Sequence, residues 1–449
     1  MSVSALLDQL RDRTGGAEQV AAWCMRVATE SQANHPVFVE APGEAVLRAA
    51  RVLDGMSTAR RAELPLFGVP VGIKDNVAVR GTSMRAGSEV VRRQSARDAY
   101  VVRRLRRAGA LILGRTRMHE LAFGPTGTNA HDGGVTHPFA ADRVPGGSSS
   151  GSAVAVALGI CAVAVGTDTG GSVRIPAALC GVVGYKPTLN LLPLAGVLPL
   201  APTLDHIGIL GFCVDDVRQV ASAIAGLEIG PARQPRRLGV LRGTLAGMDS
   251  EVARAFTAAV TKMEKAGTAV TRVVGPDQEA VIRATTEIMS YEAYRTFGRL
   301  LRTTDGVIGA DVRERLEYGS TITARAYDRA LRARDRVRAK VERILLSVDG
   351  ILGPTVPVVA PRVSQSFESS VRGQLVRHTR LFNLTGGPAV SIPLARRPLG
   401  IGMQLAMGLG ADAELLAFAA WMSTAIEEEG TRSRGPGWHG PLANCLSTL

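Results

Sequence analysis

Apolar and polar positions fall into blocks that read as helices and strands taking turns along the chain. Through residues 1–60, apolar side chains recur at helical spacing, as in Ala5, Leu6, Leu10 and Val20, Trp23, Val27. That spacing predicts a peripheral helical segment. Leu66–Ile73 reads as a strand entering the core, Arg97–Ala108 as a helix stopped by Gly109, and Ala110–Leu113 as a short strand. The run Ala153–Val165 is almost wholly Ala, Val, Leu, Ile and Cys. It predicts a helix over Ser152–Leu158, capped by Ser148–Ser150 and stopped by Gly159, then a buried strand over Cys161–Val165. Gly166–Gly171 reads as a loop, and Pro176 as the opening of a short helix.

The same alternation continues. Asp215–Ala225 and Ser250–Ala266 read as helices, and Arg237–Leu241 and Ala269–Val274 as strands. Residues 278–345 are mostly helical. Ile351–Val356, Ala389–Pro393 and Ile401–Ala406 are strands, and Asp412–Glu428 closes the pattern as a helix. This order points to the α/β class. Ile229–Arg236, with Gly230, Pro231 and Pro235, is the best candidate hinge between two halves.

Composition narrows the class. The chain has 449 residues, 46% of them hydrophobic, enough for a large core. Charged residues, at 21%, are interspersed, which argues against disorder. The polar start gives no sign of a signal peptide, and Ala153–Val165 is shorter than the roughly 20 residues a bilayer span takes. A cytoplasmic protein without a membrane partner is expected. Cys24, Cys161, Cys180, Cys213 and Cys445 are scattered, with no zinc spacing, so no metal is expected. The net charge of +13 invites a nucleic-acid partner. However, its densest part, Arg313–Arg343, alternates in sign like a solvated helix face, and aromatics are only 4%. We therefore expect no nucleic acid.

The chemistry concentrates in two glycine–serine clusters, Pro145–Ser152 and Gly166–Ser172. Hydroxyls beside flexible backbone are the parts of a serine nucleophile and an oxyanion site. The clusters lack the Gly-Lys-Ser/Thr ending of a P-loop, no GxGxxG follows a strand, and His119-Glu120 lacks the second His of a zinc helix. A formal GxSxG is centred on Ser149, but the residues before it do not read as the strand a nucleophile elbow needs. No His lies in either cluster, so a serine would need another base. Lysine is rare here: Lys74, Lys186, Lys262, Lys265 and Lys340 stand in an arginine-rich chain. Lys74 sits in apolar Val-Gly-Ile-Lys-Asp-Asn, and a buried Lys can lose its proton where Arg cannot. From this local sequence, Lys74 is either a base or the partner of Asp75 in a structural ion pair.

Gly72-Ile-Lys-Asp-Asn76, the Gly146-Gly-Ser-Ser-Ser-Gly-Ser-Ala153 cluster, Gly166-Thr-Asp-Thr-Gly-Gly-Ser-Val-Arg-Ile-Pro-Ala-Ala178, Gly181–Thr188 and Asn383–Ala389 together resemble the amidase signature family, over residues 60–425 or so. The resemblance implies one large α/β domain over 61–449, with a central mixed sheet flanked by helices on both faces. It also implies a variable pocket region near 278–345 and the 1–60 segment packed on the core. By the same resemblance Ser172 is the nucleophile. Ser148 is a relay serine held by a cis peptide bond, and Lys74 is the base. The N–H groups of Thr169, Gly170, Gly171 and Ser172 form the oxyanion hole, and Ser149, Asp168 and Arg174 support the loops. The chemistry implied is hydrolysis of a small-molecule amide through an acyl-enzyme, with no cofactor, by a protein that pairs as a homodimer. Arg174 lies two positions after Ser172 and not three, so the carboxylate-binding Arg of some small-diacid amidases is unmatched. Asp205-His206 and Met118-His119 are candidates for the pocket wall. Tyr291, Tyr294, Phe297, Tyr318 and Tyr327 either line the pocket or pack in the core. Two relatives of this chemistry stay open: the glutaminase component of a tRNA-dependent amidotransferase, and an acyltransferase that gives the acyl group to an amine.

Overall fold

The computed structural model describes residues 2–11, 16–303 and 307–427. Glu428, the expected end of the closing helix, and Cys445 lie outside them. Twelve strands form: β1 Pro70–Lys74, β2 Ser83–Met84, β3 Arg93–Gln94, β4 Leu111–Thr116, β5 Val163–Asp168, β6 Val183–Lys186, β7 His206–Gly211, β8 Arg237–Leu241, β9 Ala269–Val273, β10 Gly350–Pro354, β11 Ala389–Ala395 and β12 Ile401–Ala406. β2 and β3 pair as a small ribbon. The other ten make one sheet in the order β4-β1-β5-β7-β6-β11-β12-β10-β8-β9. It is mixed. β1 runs parallel to β4 and β5, the middle strands are antiparallel, and β8 is parallel to β9 and β10. One sheet thus spans both sides of the 229–236 stretch, where Arg233 N–H donates to Ala417 O at 3.0 Å. That stretch is a connection within a single domain, not a hinge between halves.

Most of the alternation read from sequence appears as elements, with shifted ends. The strand at Leu66–Ile73 narrows to β1, and the helix at Arg97–Ala108 to Tyr100–Arg107. β5 continues three residues past Val165, because Gly166, Thr167 and Asp168 pair with Gly208, Ile207 and His206 of β7. Gly166 fits there because a Cβ would come within 2.6 Å of the Ser149 hydroxyl. Two central strands, β6 and β7, escape the sequence reading. β7, His-Ile-Gly-Ile-Leu-Gly, has glycines where the apolar pattern should continue. The short helix starts at Arg174, and Pro176 sits in its first turn, where its missing N–H costs nothing. The helix Ser150–Ala157 has Ser149 at its N-cap without a capping hydrogen bond, because that hydroxyl turns to Thr167 O.

Helices Val3–Arg11, Ala17–Ser31, Glu44–Asp54 and Thr58–Ala62 precede the sheet. The first buries Val3, Leu6, Leu7 and Leu10 in the main core, and Val3 N–H donates to Asp216 at 2.7 Å. A second apolar cluster forms where helices Gln278–Thr303, Ala310–Thr321 and Ala324–Leu345 pack over one end of the sheet. Among the described residues, no helix is long and apolar enough to cross a membrane.

The central antiparallel strands carry the core, so truncation there is costly. Ile207 of β7 is fully buried. We expect Ile207→Ala to lower the unfolding free energy by about 2–5 kcal/mol in urea titrations, and a loss below about 1 kcal/mol would contradict this placement.

Candidate active site

β1 and β5 lie side by side and parallel, and both end at the same edge. β1 ends on Lys74 and β5 on Thr167-Asp168. Lys74 is fully buried. Its Nζ lies 2.7 Å from Ser148 Oγ, 2.7 Å from Thr167 Oγ1 and 3.4 Å from Thr167 O. Burial lowers the Lys74 ammonium to about 7, against the opposing pull of Asp168 and Asp205. The ion-pair alternative does not form, because Asp75 binds Arg115 instead. Thr167 is a partner the sequence reading missed. Its hydroxyl also accepts from Asn76 Nδ2 at 3.2 Å.

Ser148 enters the site from a tightly built loop. The Gly147–Ser148 peptide bond is cis. Gly147 N–H donates to Pro125 O at 2.7 Å, and a Cβ on Gly147 would come within 2.6 Å of Gly127 N. The segment Gly124–Gly127, unmarked in the sequence reading, is therefore part of the site's frame. Ser149 is buried with its hydroxyl 3.2 Å from Thr167 O, which does not suit an exposed nucleophile at a GxSxG elbow.

The loop after β5 is wound on Asp168. This carboxylate accepts from the N–H groups of Gly171, Val173 and Arg174 at 2.9, 3.1 and 3.4 Å. It also accepts from Arg174 Nε and Nη2 and from Asn383 Nδ2, at 3.1, 2.9 and 2.8 Å. Burial alone would raise its pKa. The charge of Arg174 and the hydrogen bonds from Arg174 and Asn383 outweigh that and hold it well below the usual carboxylate range. Arg174 spends its remaining N–H groups on Thr379 O, Gln404 Oε1 and Asn383 Oδ1. Gly171 adopts a φ of 127°, and a Cβ there would collide with the Thr379 hydroxyl, which donates to Gly170 O at 2.6 Å. Only glycine fits. Asp205 holds the start of the loop by accepting from Thr169 Oγ1 at 2.6 Å.

At the end of this loop Ser172 opens on a cavity of about 360 Å³, walled by Phe123 and Gly124 on one side and by helices Gln278–Thr303, Ala310–Thr321 and Ser369–Val376 on the other. Among the described residues, its hydroxyl and the N–H groups of Thr169, Gly170 and Ser172 have no hydrogen-bond partner, whereas that of Gly171 is taken by Asp168. The structure thus joins Ser148 to Lys74 and sets Ser172 on the cavity, without a hydrogen bond between the two serines. Catalytic contacts are often longer before substrate binds.

The other candidates divide. Tyr318 lines the cavity. Phe297 is buried in the helical core, and Tyr291 stacks on Tyr327 at 4.3 Å. Tyr294 packs against Gly298 and Gly319. His119 is 3.1 Å from Asp311, and Met118 is buried. His206 faces Leu204 O at 2.7 Å. These residues, like Asp205, brace the wall rather than line it. Among the described residues, no group of three His, Cys, Asp or Glu side chains is placed to hold a metal ion. The arrangement offers a near-neutral amine that can take a proton from a hydroxyl, beside a free serine hydroxyl and unpaired N–H donors.

A family model described as Amidase matches residues 18–416. A glutamyl-tRNA(Gln) amidotransferase subunit from Symbiobacterium thermophilum is 34% identical over 429 residues, which cover 85% of this chain and 88% of that protein. A crystal structure of an amidase superposes with a TM-score of 0.89 at 33% identity, over 95% of this chain and 100% of that one. The corresponding glutamyl-tRNA(Gln) amidotransferase subunit from Thermotoga maritima superposes with a TM-score of 0.78 at 26% identity, over 94% of each chain.

The Asp168–Arg174 pair is fully buried. Arg174→Met should cost about 3–5 kcal/mol in chemical denaturation, because the carboxylate then lies uncompensated in the interior. Asp168→Asn in the same background should recover part of the loss. A single variant as stable as the parent would contradict this.

Proposed function

The chain belongs to the amidase signature family, and from that premise we propose that it hydrolyses a carboxylic amide C–N bond through an acyl-enzyme on Ser172. The observation that carries the reading is the 2.7 Å contact between Lys74 Nζ and Ser148 Oγ in a setting where burial brings the lysine to about 7. A base near the working pH is the effective one. In the neutral state, Lys74 takes the Ser148 proton while Ser148 takes that of Ser172. The Ser172 oxygen attacks the amide carbon. The oxyanion rests on the N–H groups of Thr169, Gly170 and Ser172, with Gly171 bound to Asp168 instead. Each such donor contributes about 2.7–4 kcal/mol to the barrier reduction. The C–N bond breaks as the amine leaves with the proton returned along the same path, and water then cleaves the ester. Thr167 and Asn76 hold Lys74 and its hydroxyl partner in place, and Ser149, Asp168 and Arg174 hold the loops. Nothing in this scheme calls for a metal or cofactor, and it suits an enzyme working in the cytoplasm.

A second reading is favoured by the naming of relatives as glutamyl-tRNA(Gln) amidotransferase subunits. Here the amide is that of glutamine, and the ammonia passes to a partner-bound acceptor. The net charge of +13 is compatible with that setting. Ammonia release from a panel of amides by the isolated chain, beside a search for co-purifying proteins, separates the two. Broad turnover alone supports the stand-alone hydrolase, and activity confined to glutamine with bound partners supports the other. Product analysis with added amines would expose acyl transfer.

Ser172→Ala should reduce turnover at least about a thousandfold with an unchanged melting temperature, and appreciable residual activity would refute Ser172 as nucleophile. Because neutral Lys74 is the active form, kcat/KM should rise about tenfold per pH unit below the Lys74 pKa and level off above about 7. A profile flat across roughly pH 5–9 would remove Lys74 from that role.

A further inference from the structure

Three arginines face the Ser172 cavity: Arg315, Arg372 and Arg380. The first two share acidic partners. Arg315 Nη2 lies 2.7 Å from Asp311, and Arg372 lies 3.9 Å from Asp311 and 3.3 Å from Glu314. Arg380 has no carboxylate within ion-pair distance among the described residues. Its one hydrogen bond runs from Nη1 to Thr286 Oγ1 at 3.1 Å, and its Nε is buried without an acceptor. An unpaired guanidinium in a partly dry site is costly, and burial lowers its pKa to about 10. Its place is also specific. A Cβ on Gly170 would lie 3.8 Å from Arg380 Cγ, so the arginine stem runs beside the loop that carries the free N–H groups. Arg174 cannot fill this role, since it is buried and all five of its N–H groups are used within the fold.

We propose that Arg380 receives a carboxylate borne by the substrate, so that the enzyme acts on amides that are themselves anions. Arg380 is then a specificity-determining residue, with the free edge of its guanidinium offered to the acid and Thr286 fixing the other. The inference rests on the amidase reading of the same cavity. A neutral amide would leave the unpaired cation in place, whereas an acidic one supplies the partner that the fold withholds. Guanidinium–carboxylate pairs are among the stronger and more directional contacts available.

The test compares matched substrates. Succinamate against butyramide puts the charge on the acyl side, and N-acetylglycine against N-propylacetamide puts it on the amine side. In at least one pair kcat/KM should favour the anion about tenfold or more. That ratio should fall toward one in Arg380→Gln and recover in part in Arg380→Lys. Absence of preference in both pairs, or a preference that survives Arg380→Gln, overturns the proposal. Binding separates it from the hydrolase reading. Succinamate and N-acetylglycine should be tested by calorimetry on Ser172→Ala and on Ser172→Ala/Arg380→Gln. Binding of at least one acid that is lost with Arg380 upholds the carboxylate site even if no amide is turned over. Equal binding, or none, by the two proteins overturns it even if hydrolysis is found.

Discussion

Asp168 keeps its charge in the interior, and much of the structure is arranged to let it do so. Six donors converge on this carboxylate: three backbone N–H groups of the loop that follows it, two from Arg174 and one from Asn383. An ionised carboxylate in that position is tolerable only when every lone pair is met. Meeting them bends residues 169–173 around the carboxylate. The bend brings the Ser172 hydroxyl to the cavity and, among the described residues, leaves the N–H groups of Thr169, Gly170 and Ser172 without a partner. The same requirement ties distant segments together, because Arg174 reaches Thr379, Asn383 and Gln404. One buried charge therefore couples the middle of the chain to its last strands.

Lys74 is the counterpart. It lies at the end of the adjacent parallel strand with no salt bridge of its own among the described residues. Burial destabilises its cationic form. The distant carboxylates Asp168 and Asp205 only partly offset this, since Arg174 already neutralises one and Thr169, Leu200 and Ala201 hold the other. A lysine satisfied by hydroxyls rather than by an acid is suited to exchanging a proton, whereas one locked to a carboxylate is not. Of the two states left open for Lys74 by its local sequence, the fold supports the first by giving Asp75 to Arg115.

How legible this was in the sequence varied with the kind of signal. The glycine–serine clusters and the solitary lysine in an apolar stretch are local, and they stand out in an arginine-rich chain. The elements around them follow from apolar spacing and helix stops. β7 did not, because Gly208 and Gly211 interrupt its pattern, and glycine there answers to neighbours: a Cβ on Gly208 would come within 2.7 Å of Tyr185 O. Thr167, Thr379 and Gln404 are ordinary residues that matter only through partners far away in sequence. Arg380 was hidden for the opposite reason. In a chain so rich in arginine, the missing acid that distinguishes it becomes visible only in three dimensions.

The role given to Lys74 requires a neutral amine at working pH, and its protonation state can be observed directly. The chain has only five lysines, so ¹⁵N NMR of the Nζ atoms is tractable. Loss of a resonance in Lys74→Met identifies the signal. If Lys74 is the base, that resonance titrates near 7. Titration above about 10, as for a solvated lysine, would remove Lys74 from the role of base.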